Sequence, residues 1–194
     1  KDLTFDNIYH EHYNYWSLTS LKTFFKRFQA TIYKAEKINT HGGSLRIYVK
    51  KNSKTKIEKS VKSLLNEEEK FGIKKYQTYQ NFGKKVYKIR DNVRKNILKL
   101  KENGTKIIGY GSPAKATTAL NFFGISEEIE CIVEDNKLKQ GKILPGVKIP
   151  IVAKSDIKNK PDYALVLAWN FINEIKSKNI DLAHKFISIK DLEN

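Results

Sequence analysis

Short apolar segments alternate with helical patterns between residues 105 and 194, and this alternation constrains the fold more than any other feature of the chain. Strands are predicted at KIIGYG, IECIVED, YALVLAW and FISI, and helices at SPAKATTALNFFG and FINEIKSKN. Parallel strands need a crossover connection that is long enough to hold a helix. The alternation therefore predicts an α/β domain with a parallel sheet over residues 104–194.

A glycine-rich turn, GYGSPAK, follows the first of these strands and precedes the first helix. Gly109 and Gly111 match the first two glycines of the dinucleotide-binding pattern G-x-G-x-x-G, but Ala114 stands in the third place. Such a turn directs backbone N–H groups towards a phosphate, and Lys115 adds a positive charge. Ser112 is predicted to cap the helix. The alternative is a tight turn with ordinary helix packing.

Two further strands of this domain end in side chains suited to a ligand. Glu134 and Asp135 end the second strand, where a dinucleotide-binding fold has its ribose-binding carboxylate. Trp169 and Asn170 follow the YALVLAW strand, at the edge of the sheet where open α/β folds bind ligands. Trp169 suits stacking on a base or sugar. Alternatively, it covers the sheet edge and Asn170 caps the next helix.

Helical patterns fill residues 51–103. An apolar stripe recurs every three or four residues, which predicts a long amphipathic helix: Tyr79, Phe82, Val86, Ile89, Val93, Ile97 and Leu100. Core packing is favoured over a partner-binding face. A shorter helix is predicted over about 54–70, with a break at Phe71-Gly72-Ile73, and Asn103-Gly104 is predicted to end the long helix.

Residues 1–50 predict one helix and two strands. The helix lies in SLTSLKTFFKRF with Ser17 as its N-cap, and the strands are ATIYKAEKI and SLRIYVKK. The joint between the strands contains HGGS, after which Ser44 and Arg46 share one strand face. A helix and two strands bury too little surface for a stable core, so this segment predicts half of a domain.

The segment YHEH leaves three interpretations open. His10 and His12 form an H-x-H metal pair only with further ligands, and the two other histidines have no ligand partner nearby in the sequence. A structural polar cluster is the second interpretation. The third is acid–base catalysis, with a histidine near neutral pKa, a carboxylate that orients it and a tyrosine that hydrogen-bonds.

Charge and composition exclude several classes of protein. The net charge is +16, and surface lysine is the favoured explanation over attraction for an anionic ligand. No basic run with interleaved aromatic residues occurs, so we predict no nucleic-acid partner. No run of about 18 apolar residues occurs, so we predict no membrane span, and the start of the sequence has no signal-peptide pattern. Cys131 is the only cysteine, which excludes an internal disulfide and a multi-cysteine metal site and favours a cytoplasmic location.

Five motifs occur in order along the chain: FDNIYHEHYNY, THGGSLR, GYGSPAK, KQGKILPGVKIP and LAWNF. Together they resemble the S-adenosylmethionine-dependent sugar C-methyltransferases that act on nucleotide-linked 4-keto-deoxysugars. The resemblance covers nearly the whole chain, although the Lys-rich middle carries little of it. The chain also lacks methionine altogether, and we expect it to be the C-terminal part of a longer enzyme.

The resemblance implies a role for each block of the chain. Residues 1–50 are implied to be the closing helix and β-hairpin of a truncated methyltransferase domain, and residues 51–103 a helical connector. Residues 104–194 are implied to form a Rossmann-like domain that binds a nucleotide diphosphate-sugar. The region that binds S-adenosylmethionine and a cysteine zinc cluster are implied to lie in a missing N-terminal region, so the fragment alone is expected to be inactive.

The resemblance also implies the site residues. His12 is implied to be the catalytic base, with Tyr9 and Glu11 assisting and His10 orienting the loop. No metal ligand is predicted. The residues implied to bind the substrate are His41, Ser44, Arg46, Gly109, Gly111, Ser112, Lys115, Asp135, Trp169 and Asn170.

Two other functional classes remain alternatives. One is a non-catalytic nucleotide-binding module with a Rossmann-like fold. The other is a domain of a nicotinamide-dependent oxidoreductase, against which stand the incomplete glycine pattern and the YHEH segment.

Overall fold

A computed structural model describes residues 5–40, 43–51, 54–102 and 104–193. His41 and Gly42 of the predicted HGGS motif, and Asn103 of the predicted helix stop, lie outside the described residues. The chain divides into two compact units, of which one runs His12–Gly83 and the other comprises the rest of the described chain.

The unit His12–Gly83 contains two helices packed on a two-stranded antiparallel sheet, followed by the start of a third helix. Its elements are α1 (Leu18–Lys26), β1 (Ala30–Ile38), β2 (Ser44–Lys51), α2 (Lys59–Phe71) and the beginning of α3 (Tyr76–Glu102). Their shared core consists of Leu18, Ile32, Ala35 and Val61. The predicted helix and strand pair of the first block are therefore confirmed.

Local signals set the ends of α1 and α2. The Ser17 hydroxyl accepts a hydrogen bond from the Ser20 N–H at 3.1 Å, which confirms the predicted cap of α1. Helix α2 ends at Gly72, whose φ of 80° lies in the left-handed region that glycine favours. The predicted start at about 54 is wrong, because α2 begins at Lys59. The N–H of Glu58 donates to the Tyr33 carbonyl at 2.9 Å, which ties the preceding residue to β1.

The long helix α3 forms as predicted, but Tyr79 and Phe82 of its apolar stripe are exposed, so core packing is wrong for these two residues. Val86, Val93 and Ile97 are buried in the core of the sheet-containing unit. The boundary between the two units falls within this helix, between Gly83 and Lys84. The predicted single amphipathic helix, and its packing role for these three residues, are confirmed.

Five parallel strands form the sheet of the other unit. They are β3 (Ile107–Tyr110), β4 (Ile132–Val133), β5 (Ile151–Val152), β6 (Tyr163–Val166) and β7 (Lys185–Ser188). Their spatial order is β5-β4-β3-β6-β7, and every neighbouring pair is parallel. The predicted α/β class with a parallel sheet is confirmed. Strand β5 was not predicted, because two residues are too few to show a sequence period.

Helices cover this sheet on the side of the larger core. Helix α4 (Ala114–Phe123) buries Ala116, Ala119, Leu120 and Phe123 there, together with the α3 stripe. A second cluster includes Ile108, Tyr110 and Val133 on β3 and β4. Helix α5 (Ile172–Lys178) follows β6. None of the described helices combines the length and apolar character needed to cross a bilayer.

Candidate functional site

The strand order creates a switch point between β3 and β6, because the chain leaves β3 towards β4 on one side and reaches β6 on the other. Open α/β sheets bind ligands at the carboxyl ends of the strands at such a point. A cavity of about 440 Å³ opens there, a size typical of small-molecule sites. Its lining is Tyr110, Gly111, Ser112, Pro113, Glu134, Asp135, Lys139, Ala168, Phe171, Glu174, Ile175, Lys178 and Asn179.

The glycine turn after β3 forms part of the lining of this cavity. Gly111 has a φ of 83°, and its N–H donates to the Val133 carbonyl at 2.8 Å. The N–H and the hydroxyl of Ser112 both donate to Glu134 Oε2, at 2.8 and 2.5 Å. The predicted capping role of Ser112 is wrong: Pro113 is the N-cap residue of α4, and the Ser112 hydroxyl is used by a carboxylate from the neighbouring strand.

Glu134 is held in place by several donors. Its Oε1 accepts from the Asn136 N–H at 3.1 Å, in addition to the two bonds from Ser112. The Lys139 ammonium donates to the Ser112 carbonyl at 2.9 Å and lies 3.6 Å from Glu134 Oε2. Burial raises the pKa of Glu134, but the hydrogen bonds from Ser112 and Asn136 and the Lys139 charge outweigh it and lower the pKa below its ordinary value. Glu134 is therefore ionised at neutral pH.

A second network joins Tyr110, Asp135 and Asn179. The Tyr110 hydroxyl donates to Asp135 Oδ2 at 2.8 Å and accepts from Asn179 Nδ2 at 3.1 Å. Burial, followed by the hydrogen bond to Asp135, raises the pKa of Tyr110 to about 12. Asp135 is exposed, and a carboxylate accepts up to about four hydrogen bonds. Its remaining acceptor positions are available to a hydroxyl-bearing ligand.

Another part of the lining comes from the turn after β6 and from α5. Lys178 donates to Glu174 Oε1 at 2.6 Å, and this ion pair is exposed to solvent. Phe171, in the 3₁₀ turn that follows β6, presents a ring that is 60% exposed. This part of the lining therefore offers an exposed aromatic ring and a charge pair that is already neutralised.

Three of the predicted substrate-binding residues line the cavity: Gly111, Ser112 and Asp135. Gly109 lies buried within β3, and a Cβ there would stand 2.9 Å from Ile132 Cγ1. Lys115 lies in the first turn of α4, outside the lining.

Trp169 and Asn170 also lie outside the lining. Trp169 packs against the larger core and borders a separate small cavity with Phe5 and Phe123, whereas Asn170 is exposed. Phe171, from the same 3₁₀ turn, reaches the cavity instead. Successive side chains of such a turn point about 120° apart. The LAWNF segment therefore predicts where the chain approaches the cavity, but not which of its side chains lines it. The roles of Trp169 and Asn170 stay predictions.

Sequence reasoning missed the cavity residues Tyr110, Lys139, Lys178 and Asn179. Tyr110 offered one signal, because it stands between the two glycines of GYG, where a side chain at a strand end faces the ligand side. Lys139 begins the KQGKILPGVKIP motif, but nothing in that motif marks it as a cavity residue. Lys178 and Asn179 lie at the end of α5, in a segment with no recognisable motif.

The YHEH segment has its own local geometry. Tyr9 is half-buried, whereas His10, Glu11 and His12 are exposed. His10 Nε2 lies 3.9 Å from Glu11 Oε1, and the ring of His12 stands edge-on to Tyr15, with centroids 6.4 Å apart. The boundary between the two units falls between Glu11 and His12. Across the described residues, no three His, Cys, Asp or Glu side chains gather as metal ligands.

The remaining predicted residues belong to the hairpin. Ser44 begins β2, and its hydroxyl donates to the Thr40 carbonyl at 3.0 Å. Arg46 is exposed and pairs in register with Glu36 on β1. Their substrate-binding roles, like that of His41, stay predictions.

Comparison with known proteins assigns the family. The family described as "C-methyltransferase C-terminal domain" matches residues 39–188. The chain belongs to this family. It is also 34% identical over 178 residues to the C-methyltransferase NovU of Streptomyces niveus, an alignment that covers 90% of this chain and 42% of the relative. The chain thus spans about two fifths of the length of that relative. The resemblance to the C-terminal part of a C-methyltransferase is confirmed.

Proposed function

We propose that the chain is the C-terminal part of an enzyme that methylates a carbon next to the ketone of a nucleotide-linked deoxysugar, and that the cavity at the carboxyl ends of β3 and β6 binds the nucleotide-sugar. The observation that carries the proposal is the cavity of about 440 Å³ at the switch point of the parallel sheet. The family membership and the similarity to a C-methyltransferase support the reaction type.

The chemistry needs a base and a group that stabilises an oxyanion. Removal of a proton from the carbon next to a ketone gives an enolate, and His12 is proposed to take that proton. Tyr9 is proposed to donate a hydrogen bond to the enolate oxygen, and Glu11 to assist in orientation. The exposure of His12 supports access to a substrate.

The methyl donor is proposed to be S-adenosylmethionine, bound by an N-terminal region of a longer enzyme. When bound there, it would supply a methyl group carried on a positively charged sulfur. His12 would hold the proton taken from the substrate carbon. The chain described here contributes the proton transfer and the binding of the sugar nucleotide.

Proton exchange tests the base without methyl transfer. The full-length enzyme is incubated in D₂O with a thymidine-diphosphate-linked 4-keto-deoxysugar and without S-adenosylmethionine, and deuterium at the carbon next to the ketone is followed by NMR. His12→Ala is expected to slow this exchange by about 10²–10⁴-fold, the usual contribution of a general base. His184→Ala is the matched control, because His184 is exposed and lies outside the YHEH segment. Exchange by His12→Ala at the rate of this control would remove His12 from the role of base.

Calorimetric titration tests the cavity. The full-length enzyme is titrated with the nucleotide-sugar, and Asp135→Asn and Phe171→Ala are compared with wild type. Each is expected to weaken binding, since Asp135 offers acceptor oxygens and Phe171 an exposed ring within the lining. Affinities equal to wild type in both variants would move the substrate to another part of the enzyme.

A further inference from the structure

The turn between β3 and α4 has the form of a phosphate-binding turn, yet its backbone donors are already used. The Gly111 N–H donates to the Val133 carbonyl, and the Ser112 N–H donates to Glu134. Pro113 has no N–H. The turn from β3 to α4 lies within the described residues, and its three consecutive residues therefore offer no unbonded N–H group to a phosphate.

Glu134 occupies the position of an anion on this turn. Its carboxylate accepts the N–H and the hydroxyl of Ser112 through one oxygen, and the N–H of Asn136 through the other. These donors, with Lys139 at 3.6 Å, are the kind of groups that hold a phosphate in other proteins. A phosphate at this place would have to displace Glu134 and would then lie beside its negative charge.

The charge of the whole lining also disfavours an anion. The lining holds three carboxylates and two ammonium groups. Lys178 is paired with Glu174 at 2.6 Å and Lys139 lies against Glu134, while Asp135 accepts from the neutral hydroxyl of Tyr110. The excess charge in the cavity is therefore negative.

We propose that Glu134 determines the specificity of this cavity by filling the anion position of the glycine turn, so that the cavity receives an uncharged, hydroxyl-bearing part of its ligand and excludes phosphate groups. The proposal rests on the proposed function for naming that ligand a nucleotide-sugar. It replaces the expectation that the glycine turn binds the diphosphate.

The lining fits an uncharged group with hydroxyls. Asp135 accepts hydrogen bonds at the cavity surface, and Tyr110 and Asn179 fix its orientation through the hydroxyl bridge. The exposed ring of Phe171 adds an apolar surface for a sugar or a base. In this arrangement the phosphates lie outside the cavity, where solvent screens the carboxylates.

Amide NMR of the 194-residue chain tests the exclusion directly. The Ser112 amide signal is followed during titration with pyrophosphate in wild type, Glu134→Ala, Glu134→Gln and Glu174→Gln. Glu134→Ala empties the anion position, and Glu134→Gln removes its charge while retaining an acceptor for Ser112. Glu174→Gln is the matched control, because it neutralises another carboxylate of the same lining away from the turn.

Wild type and Glu174→Gln are expected to show no saturable shift of Ser112. Glu134→Ala is expected to bind pyrophosphate at the turn at least about tenfold more tightly than wild type, because a repulsive charge is removed. If Glu134→Ala does not fold, the gain in pyrophosphate affinity is measured with Glu134→Gln. A saturable shift of Ser112 in wild type, or no gain in any folded Glu134 variant, would overturn the proposal.

Uridine, which is uncharged and carries hydroxyls, tests what the cavity admits. Wild type is expected to show saturable shifts at the Gly111 and Asp135 amides, and Asp135→Ala is expected to lose them. The absence of such shifts in wild type would overturn the second half of the proposal. Neither probe depends on methyl transfer, so failure here is distinguishable from failure of the proton-exchange test of the proposed function.

Discussion

Replacement of Tyr110 by phenylalanine should destabilise the sheet-containing unit, because it removes one hydroxyl that serves two partners. The ring stays, so the packing of β3 is unchanged. Asp135 loses a donor at 2.8 Å, and Asn179, which is buried, loses the acceptor at 3.1 Å. Asn179 keeps its second bond, to the Ile175 carbonyl at 3.0 Å.

The size of the loss in stability follows from the two hydrogen-bond partners, Asp135 and Asn179. A hydrogen bond to a charged group contributes about 1.5–3 kcal/mol, and a buried donor left without a partner costs about 1–3 kcal/mol. Asp135 is exposed, so water replaces much of what it loses. We therefore expect the free energy of unfolding to fall by about 2 kcal/mol at pH 7.

Urea denaturation measures this loss in the correct unit. The chain has two tryptophans, and Trp16 belongs to the unit His12–Gly83 whereas Trp169 belongs to the other. In a Trp16→Phe background, tryptophan fluorescence comes only from Trp169 and therefore reports only on the unit that contains Tyr110. Tyr87→Phe is the control, because it removes a hydroxyl from an exposed ring in the same unit.

The pH dependence provides a second readout. The folded-state pKa of Tyr110 is raised from 10.0 to about 12, so the stabilisation tied to its protonated form is fully present below pH 10 and is lost as the pH rises through 12. The difference between wild type and Tyr110→Phe should therefore shrink across this window. The change is at most about 2.7 kcal/mol, and less where solvent enters the cavity.

Two results would refute this reasoning. One is a loss in Tyr110→Phe no larger than in Tyr87→Phe, which would mean that the hydroxyl bridge contributes nothing. The other is a difference between wild type and Tyr110→Phe that stays constant from pH 9 to pH 12, which would mean that folding does not perturb the hydroxyl.

Gly109→Ala should lower the free energy of unfolding by about 1–3 kcal/mol, since its Cβ would lie 2.9 Å from Ile132 Cγ1. Gly83→Ala in α3, whose Cβ meets no described atom within 4 Å, should raise it by about 0.5–1 kcal/mol, and equal urea midpoints for the two variants would contradict this. Glu68→Ala should destabilise the unit His12–Gly83 by about 1–3 kcal/mol and speed hydrogen exchange at the first two amides of α1, because the Glu68 carboxylate accepts both at 2.7 Å. Glu69→Ala, at an exposed neighbouring position, is the control, and equal exchange rates in the two variants would show that Glu68 does not anchor α1.

Local periodicity determined most of the secondary structure. The apolar stripe predicted α3. Alternating or β-branched runs predicted β1 and β2, and three of the four parallel strands expected from the sequence lie close to their predicted positions. These signals lie within one element, because a helix or strand repeats its buried face over a few residues. Strand β5 and the start of α2 escaped prediction, since the first is two residues long and the second depends on the bond from Glu58 to Tyr33.

The sequence by itself also determined the family and the region of the candidate site. Five ordered motifs carried the resemblance that the comparisons confirmed, and the glycine turn marked the strand end where the cavity opens. Asp135 was predicted at this place, because the carboxyl ends of parallel strands meet at one edge of a sheet.

Only the tertiary structure decided which groups line the cavity. It brought Glu134 onto the donors of Ser112, joined Asn179 to the Tyr110 hydroxyl, and packed Trp169 against the core while Phe171 reached the cavity. The contacts of Glu134 with Ser112 and of Asn179 with Tyr110 join residues far apart in the sequence. The different positions of Trp169 and Phe171 depend on the direction of one turn. A local pattern specifies which face of an element is buried. The partner that a polar side chain meets at a strand end is set by the order of the strands, and no periodicity in the sequence records it.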